Sequence, residues 1–348
     1  MSESRSPSLD AAAPPARSGG GAWKRGAGLV SLFASVALLI ALYRSIDARQ
    51  VVASLVHADP FWLVISVAMI VPITAVRAVR FLWVSPPGAL PGIGEAFRLT
   101  LVSTALNVFL PAKSGDLIKS YFVARRGHAS PGVAVSVIVY ERLCDLFSLM
   151  TWCVAGWVIG RPYGHSLPAV FWPAVGAFGA GCGLVIVSER AAALPRVVAD
   201  RVLRGNRLRP LRDLAAGWPD LMASLRGRRR RVVPFSMALW LAHLTQIWMF
   251  TIALSVQMPY WACVSLTAVA LMAGQIPLTV AGIGARDVAL VVLLAGYMPL
   301  ESAAAMGVLI ASRNLLPPVL GAPFMRSYLS TVVADARRWQ QAWSRAGV

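Results

Sequence analysis

The chain has 348 residues, 57% of them apolar and only 14% charged, yet its formal net charge is +18 from 33 basic and 15 acidic residues. Soluble domains hold roughly 45–50% apolar and about 25% charged residues, so the composition excludes a soluble globule, and its apolar content excludes a disordered chain. A nucleic-acid binder would explain the charge but not the apolar content, whereas apolar membrane spans joined by basic loops explain both.

Residues 1–25 are polar and rich in Pro, Gly, Ala and Ser, and read as a disordered cytoplasmic tail. A first membrane half follows over 26–187. It opens with an uncleaved apolar span at 26–43, because no small-residue cleavage site follows the apolar run. A second span starts at Phe61-Trp62 and carries Arg77 and Arg80 near its far end. Residues 96–123 are broken at Pro111-Ala112-Lys113-Ser114-Gly115 into two pieces, each shorter than the ~20 residues a span needs. Spans at 132–160, with Glu141, Arg142 and Asp145 inside it, and at 168–187 complete this half.

Residues 188–231 form a water-soluble basic linker with 12 Arg and 4 acidic residues, ending in Arg228–Arg231. The second membrane half, 232–325, holds a span at 232–256, a second broken segment at 261–298 interrupted from Pro277 to Gly284, and a span at 302–325. A basic tail, 326–348, ends the chain. The fold class is therefore an all-α polytopic membrane protein of six full spans and two broken re-entrant segments, with eight spans as the alternative. Placing the Arg-rich linker and tails on the cytoplasmic side puts both termini inside. The reading locates the chain in a bacterial cytoplasmic membrane, with anionic lipid beside its basic face. The four cysteines fall in apolar stretches and form no metal or disulfide pattern; no cofactor or metal is expected.

The two broken segments share an order of features. Each is an apolar half-helix, then a Pro, a Gly-containing turn with a base (Lys113; Arg286), and an acid (Asp116; Asp287) that starts a second half-helix. Arg142 follows Asp116, and Arg313 follows Asp287, by the same interval. Entering from opposite sides, the segments would be inverted repeats of the kind found in secondary transporters. Broken helix ends with free N–H groups suit anions. A charge at the bilayer centre costs at least about 2.5–3.5 kcal/mol, which makes each one a functional candidate. The candidate lipid-binding residues are Asn107, Lys113, Asp116, Lys119, Glu141, Arg142, Asp145, Arg286, Asp287 and Arg313. For Glu141 and Asp145 a self-neutralising cluster that locks helix packing is an equal alternative. Arg98 belongs to the same group of membrane-embedded charges. Arg77 and Arg80 divide between function and snorkelling to the interface, while His243 and Gln246 read as polar glue between helices.

The run Leu106-Asn107-Val108-Phe109-Leu110-Pro111-Ala112-Lys113-Ser114-Gly115-Asp116, then Tyr140-Glu141-Arg142-Leu143-Cys144-Asp145, resembles the first signature of the lysylphosphatidylglycerol synthase transmembrane, flippase-like family. Gly282-Ile283-Gly284-Ala285-Arg286-Asp287 and Ser312-Arg313 resemble its second. Lys113, Asp116, Asp287 and Lys119 depart from the usual Arg, Glu, Glu and Arg. The resemblance implies a stand-alone member without the aminoacyl-transfer domain, moving a lipid with a charged headgroup: a phospholipid, a polyprenyl-phosphate-linked lipid or a hopanoid-type lipid. A membrane-embedded transferase on lipid-linked substrates and a scaffold for lipid-modifying enzymes are the alternatives.

Overall fold

A computed structural model describes residues 40, 44, 46–126, 129–161, 168, 170–188, 193–202, 209–275, 284–313 and 315–345. The expected first span, 26–43, and residues 277–283 of the second break lie outside these, as does the Lys113 side chain. Among the described residues every regular element is helical: α1 Ala48–Val56, α2 Pro60–Ala68, α3 Ile70–Val84, α4 Ile93–Phe109, α5 Leu117–Arg125, α6 Pro131–Gly160, α7 Phe171–Val187, α8 Leu194–Val202, α9 Arg209–Ser224, α10 Arg229–Ala253, α11 Tyr260–Ala273, α12 Ala285–Leu294, α13 Leu300–Arg313 and α14 Leu316–Arg345.

Local chemistry starts several of them. Asp59 Oδ1 accepts from Phe61 N–H at 2.9 Å, and Pro60 occupies the first turn of α2, where its missing N–H costs nothing. Ser130 Oγ and Pro131 start α6 in the same way.

Among the described residues, four helical stretches are long and apolar enough to cross a membrane: Pro60–Val84, Pro131–Gly160, Arg229–Ala253 and Leu300–Arg338. Phe171–Val187 and Tyr260–Ala273 are apolar but shorter. The broken segment at 96–123 takes the form of α4, a 3-10 turn at Pro111–Asp116, and α5. At 1.5 Å per residue, α4 is about 26 Å long and α5 about 14 Å, against a hydrocarbon core of about 30 Å. The second segment supplies α11 and α12 on either side of residues 276–283.

Contacts sort the helix ends into two groups. At one end Arg228 Nη1 donates to Trp83 O at 3.3 Å, Arg229 Nη1 to Val187 O at 2.8 Å, and Arg126 Nη2 to Glu95 Oε1 at 2.7 Å. Arg125 Nε reaches Asp335 Oδ2 at 2.6 Å at the same end. At the other end Asp59 N–H donates to Ala253 O at 2.7 Å and Trp248 Nε1 to Met258 O at 3.0 Å.

Two apolar clusters hold the helices together. One gathers Leu149, Ile247, Phe250, Ala262 and Leu290; the other gathers Phe81, Leu99, Phe122, Tyr140 and Leu221. All four cysteines are buried and free. Gly156 and Gly160 of α6 let α11 approach to backbone contact: a Cβ at Gly156 would lie 2.7 Å from Trp261 O, and one at Gly160 would lie 2.7 Å from Ala262 N. Ser265 Oγ donates to Cys153 O at 2.9 Å across the same seam.

Two stretches carry more structure than their polarity implies. Within the basic linker, Trp218, Leu221 and Met222 of α9 and neighbouring Leu225 are buried, with Trp218 near Tyr140 of α6. The chain after 325 does not leave the fold as a polar tail. It continues as α14, whose Tyr328 packs edge-on against Phe122.

Candidate functional site

Among the described residues five helices bring charged or polar side chains to one place, and three of them, α3, α6 and α10, repeat these at helical spacing. α3 presents Arg77 and Arg80, three residues apart. α6 presents Glu141 and Asp145, four apart, with Arg142 between them. α10 presents Trp240, His243 and Gln246 in steps of three. α12 brings Arg286 and Asp287 in its first turn, and Arg313 closes α13.

The first broken segment is held by Asp116. Its carboxylate accepts from Ser103 Oγ, from Asn107 Nδ2 at 3.0 Å and from Arg142 Nη2. Gly115 makes this geometry possible, since a Cβ there would sit 2.6 Å from Asn107 N and 2.8 Å from its Oδ1. Asp145 accepts from Arg80 Nη1 at 2.6 Å and Trp240 Nε1 at 2.8 Å, with Arg142 Nη1 at 3.5 Å. Glu141 lies 3.3 Å from Lys119 Nζ and 3.6 Å from Arg80 Nε. The Lys119 ammonium also rests 4.8 Å over the Phe81 ring. Arg80 therefore does not snorkel to the interface: its side chain is 4% exposed and bridges both acids of α6.

The second broken segment is wired differently. Asp287 Oδ2 accepts from Gly284 N–H at 3.1 Å, capping α12, while Oδ1 accepts from Arg286 Nε and Nη2 at 3.0 and 2.7 Å. Arg286 Nη2 also reaches Gly307 O at 3.4 Å. Arg313 does not pair with Asp287 as Arg142 pairs with Asp116. Its Nη1 faces Gln246 Oε1 at 3.2 Å and His243 Nδ1 at 3.4 Å, neither of them a carboxylate.

Between these groups lies a cavity of about 170 Å³. Arg77, Arg80, Arg142, Arg286 and Arg313 line it, and Asp145 is the one carboxylate in its wall among the described residues. Asn107, Trp240 and His243 add polar edges, and Leu239 and Leu271 apolar ones. A second, smaller cavity shares Arg77, Thr104, His243 and Arg313 and continues toward Ile70, Ile73 and Pro317. Among the described residues, no carboxylate comes within ion-pair distance of Arg77 or Arg313.

Of the residues singled out in the sequence, Asn107, Arg142, Asp145, Arg286 and Arg313 therefore line the cavity. Asp116, Lys119, Glu141 and Asp287 stand behind it as partners of other site residues, and the Lys113 side chain is outside the described residues. Arg98 is exposed and sits 5.6 Å over the Phe324 ring, away from the site. Trp240 was not singled out as a site residue at all. Its signal was its place three residues before His243 on an otherwise apolar helix. Among the described residues no three His, Cys, Asp or Glu side chains gather as a metal site would need.

Residues 28–322 match the family model described as the lysylphosphatidylglycerol synthase TM region. No curated protein matches the chain. The match spans most of the 348 residues, and the chain belongs to this family.

Proposed function

We propose that this member of the lysylphosphatidylglycerol synthase TM family, a multi-pass membrane protein, carries a lipid with an anionic headgroup between the two leaflets. The supporting observation is the cavity itself: five arginines line it, and two of them, Arg77 and Arg313, lack a carboxylate partner among the described residues. Unpaired guanidinium groups at membrane depth are costly unless an anion compensates them, and their planar forks fit phosphate oxygens. The headgroup would sit among Arg77, Arg142, Arg286 and Arg313. Asp116 and Asp287 would hold Arg142 and Arg286 in place, and Asp145 and Glu141 would hold Arg80 and Lys119, rather than bind the lipid. The apolar chains would leave toward the bilayer on the side of the smaller adjoining cavity, which Ile70, Ile73 and Pro317 border.

In this reading the two broken segments are inverted repeats, completed by six full spans. Rocking of one against the other exposes the cavity to each side in turn. The basic end carrying Arg125, Arg126 and Arg228 faces the cytoplasm beside anionic lipid.

The test is reconstitution into vesicles with fluorescent phospholipids in one leaflet. Protein should speed their transfer, and Arg77→Gln with Arg313→Gln should abolish the acceleration while the protein stays folded. Equal transfer with wild-type and doubly substituted protein overturns the reading.

A further inference from the structure

The charge balance of the site narrows the headgroup. Six cations meet there: Arg77, Arg80, Lys119, Arg142, Arg286 and Arg313. Four carboxylates answer them: Asp116, Glu141, Asp145 and Asp287. Six minus four leaves a surplus of two positive charges. Residues 276–283, Ile276 through Ile283, hold no ionisable side chain, so they cannot cancel it. Lys113, the remaining ionisable residue of the first break not yet counted, could only add to it.

The surplus has an address. Each of the four carboxylates is taken by Arg80, Lys119, Arg142 or Arg286, which leaves Arg77 and Arg313 over. These two guanidinium groups line both cavities and so border the same space. A ligand with one negative charge would leave one of them uncompensated in a medium where that is expensive. A ligand with two would satisfy both. The size agrees: about 170 Å³ is small beside the roughly 300–1,000 Å³ of sites for larger organic ligands, and suits a bare phosphate rather than a glycan or an aminoacyl ester.

Building on the reading of this cavity as a headgroup site, we infer that it selects a phosphate carrying two negative charges, as in a phosphomonoester or a terminal diphosphate, over a singly charged phosphodiester. Arg77 and Arg313 are the residues that make the distinction, because each supplies the fork for one charge.

The experiment compares purified protein in phosphatidylcholine nanodiscs doped with phosphatidic acid, a monoester, or with phosphatidylglycerol, a diester. A third arm adds inorganic phosphate to undoped discs. All are held at about pH 9, so that the monoester and inorganic phosphate both carry their second negative charge. The readout is midpoint concentration for thermal stabilisation. Phosphatidic acid should act at a concentration at least about tenfold below phosphatidylglycerol, the difference expected for one extra charge-assisted contact. Arg77→Gln or Arg313→Gln should erase that preference. Gln246→Glu, which gives Arg313 a carboxylate partner, should lower it without removing any cation.

Stabilisation by phosphatidic acid alone identifies a lipid phosphate; stabilisation by inorganic phosphate as well shows that the headgroup suffices. Either result upholds the inference. Equal midpoints for monoester and diester, or no stabilisation by any of the three, overturn it. Transport is scored separately. If both lipids cross at equal, protein-dependent rates, transport survives and the charge selectivity falls. If the monoester binds but nothing crosses, the selectivity survives and transport falls.

Discussion

Arg142 and Asp116, 26 residues apart, are joined in an ion pair across the break of the first broken segment. The pair is lopsided: the Asp116 side chain is 4% exposed, whereas that of Arg142 is 31% exposed and opens on the cavity. Removing Asp116 should therefore cost more than removing Arg142. For Asp116→Ala a loss of about 1.5–3 kcal/mol is expected, because Ser103 and Asn107 lose a charged acceptor while Arg142, partly exposed, keeps Asp145 at 3.5 Å. Arg142→Ala should lose less, because Ser103 and Asn107 still donate to Asp116. Thermal unfolding of both variants in detergent checks the order, and a larger loss for Arg142→Ala contradicts it.

A different kind of ion pair ties α5 to α14. Arg125 is 43% exposed, and it shares Asp335 with Tyr121 and, at 3.8 Å, with Arg338. Solvent screens such pairs, so a double-mutant cycle on Arg125 and Asp335 should give less than about 1 kcal/mol. That coupling should shrink further in high salt. A salt-independent coupling of several kcal/mol would show that α14 is held there far more firmly than the geometry implies.

Trp240 is expected to matter through one atom. Trp240→Phe keeps the aromatic bulk but removes the donor to Asp145. Stability should fall by about 1.5–3 kcal/mol, the usual worth of a hydrogen bond to a charged group. Trp152→Phe, which loses a donor to the neutral Met237 O at 2.8 Å, serves as the comparison and should cost less. Chemical denaturation of the two variants side by side decides the point.

Glycines at close approaches should not tolerate a methyl group. Gly156→Ala forces apart α6 and α11 and should cost about 1–3 kcal/mol through overpacking. Gly176→Ala on α7 meets no atom within 4 Å and should be neutral or gain up to about 1 kcal/mol from helix propensity. Equal melting temperatures for these variants would contradict the close seam.

Orientation can be read with a membrane-impermeant thiol reagent on intact cells. The four native cysteines are buried and should stay silent. A cysteine at Pro299, beside the end that carries Asp59, should react, and one at Pro210 should not. The opposite pattern inverts the proposed topology.

The break after Phe109 was readable because Pro and Gly interrupt an apolar run, and both are poor helix formers. The membrane-embedded charges stood out because they are expensive there. Their pairings were not readable. Arg80 and Asp145 are 65 residues apart, and helical spacing says which face a side chain is on but not which helix that face meets. The buried side of α9 was hidden for another reason: averaged over the linker, twelve arginines mask the three or four apolar residues that share one stripe. The continuation of α14 past residue 325 was missed because polarity marks the end of a span, not the end of a helix.

The close contact of Gly156 and Gly160 with α11 lies near one end of a helix whose other half carries Arg142. Sixteen residues separate Arg142 from the middle of that contact, about 24 Å of stiff helix. A tilt of the helix about that seam would swing the Arg142 backbone sideways by about 0.4 Å per degree. A few degrees of such tilt would exceed the reach of the Arg142–Asp116 hydrogen bond, so the packing of α6 against α11 bears on how firmly that pair is held.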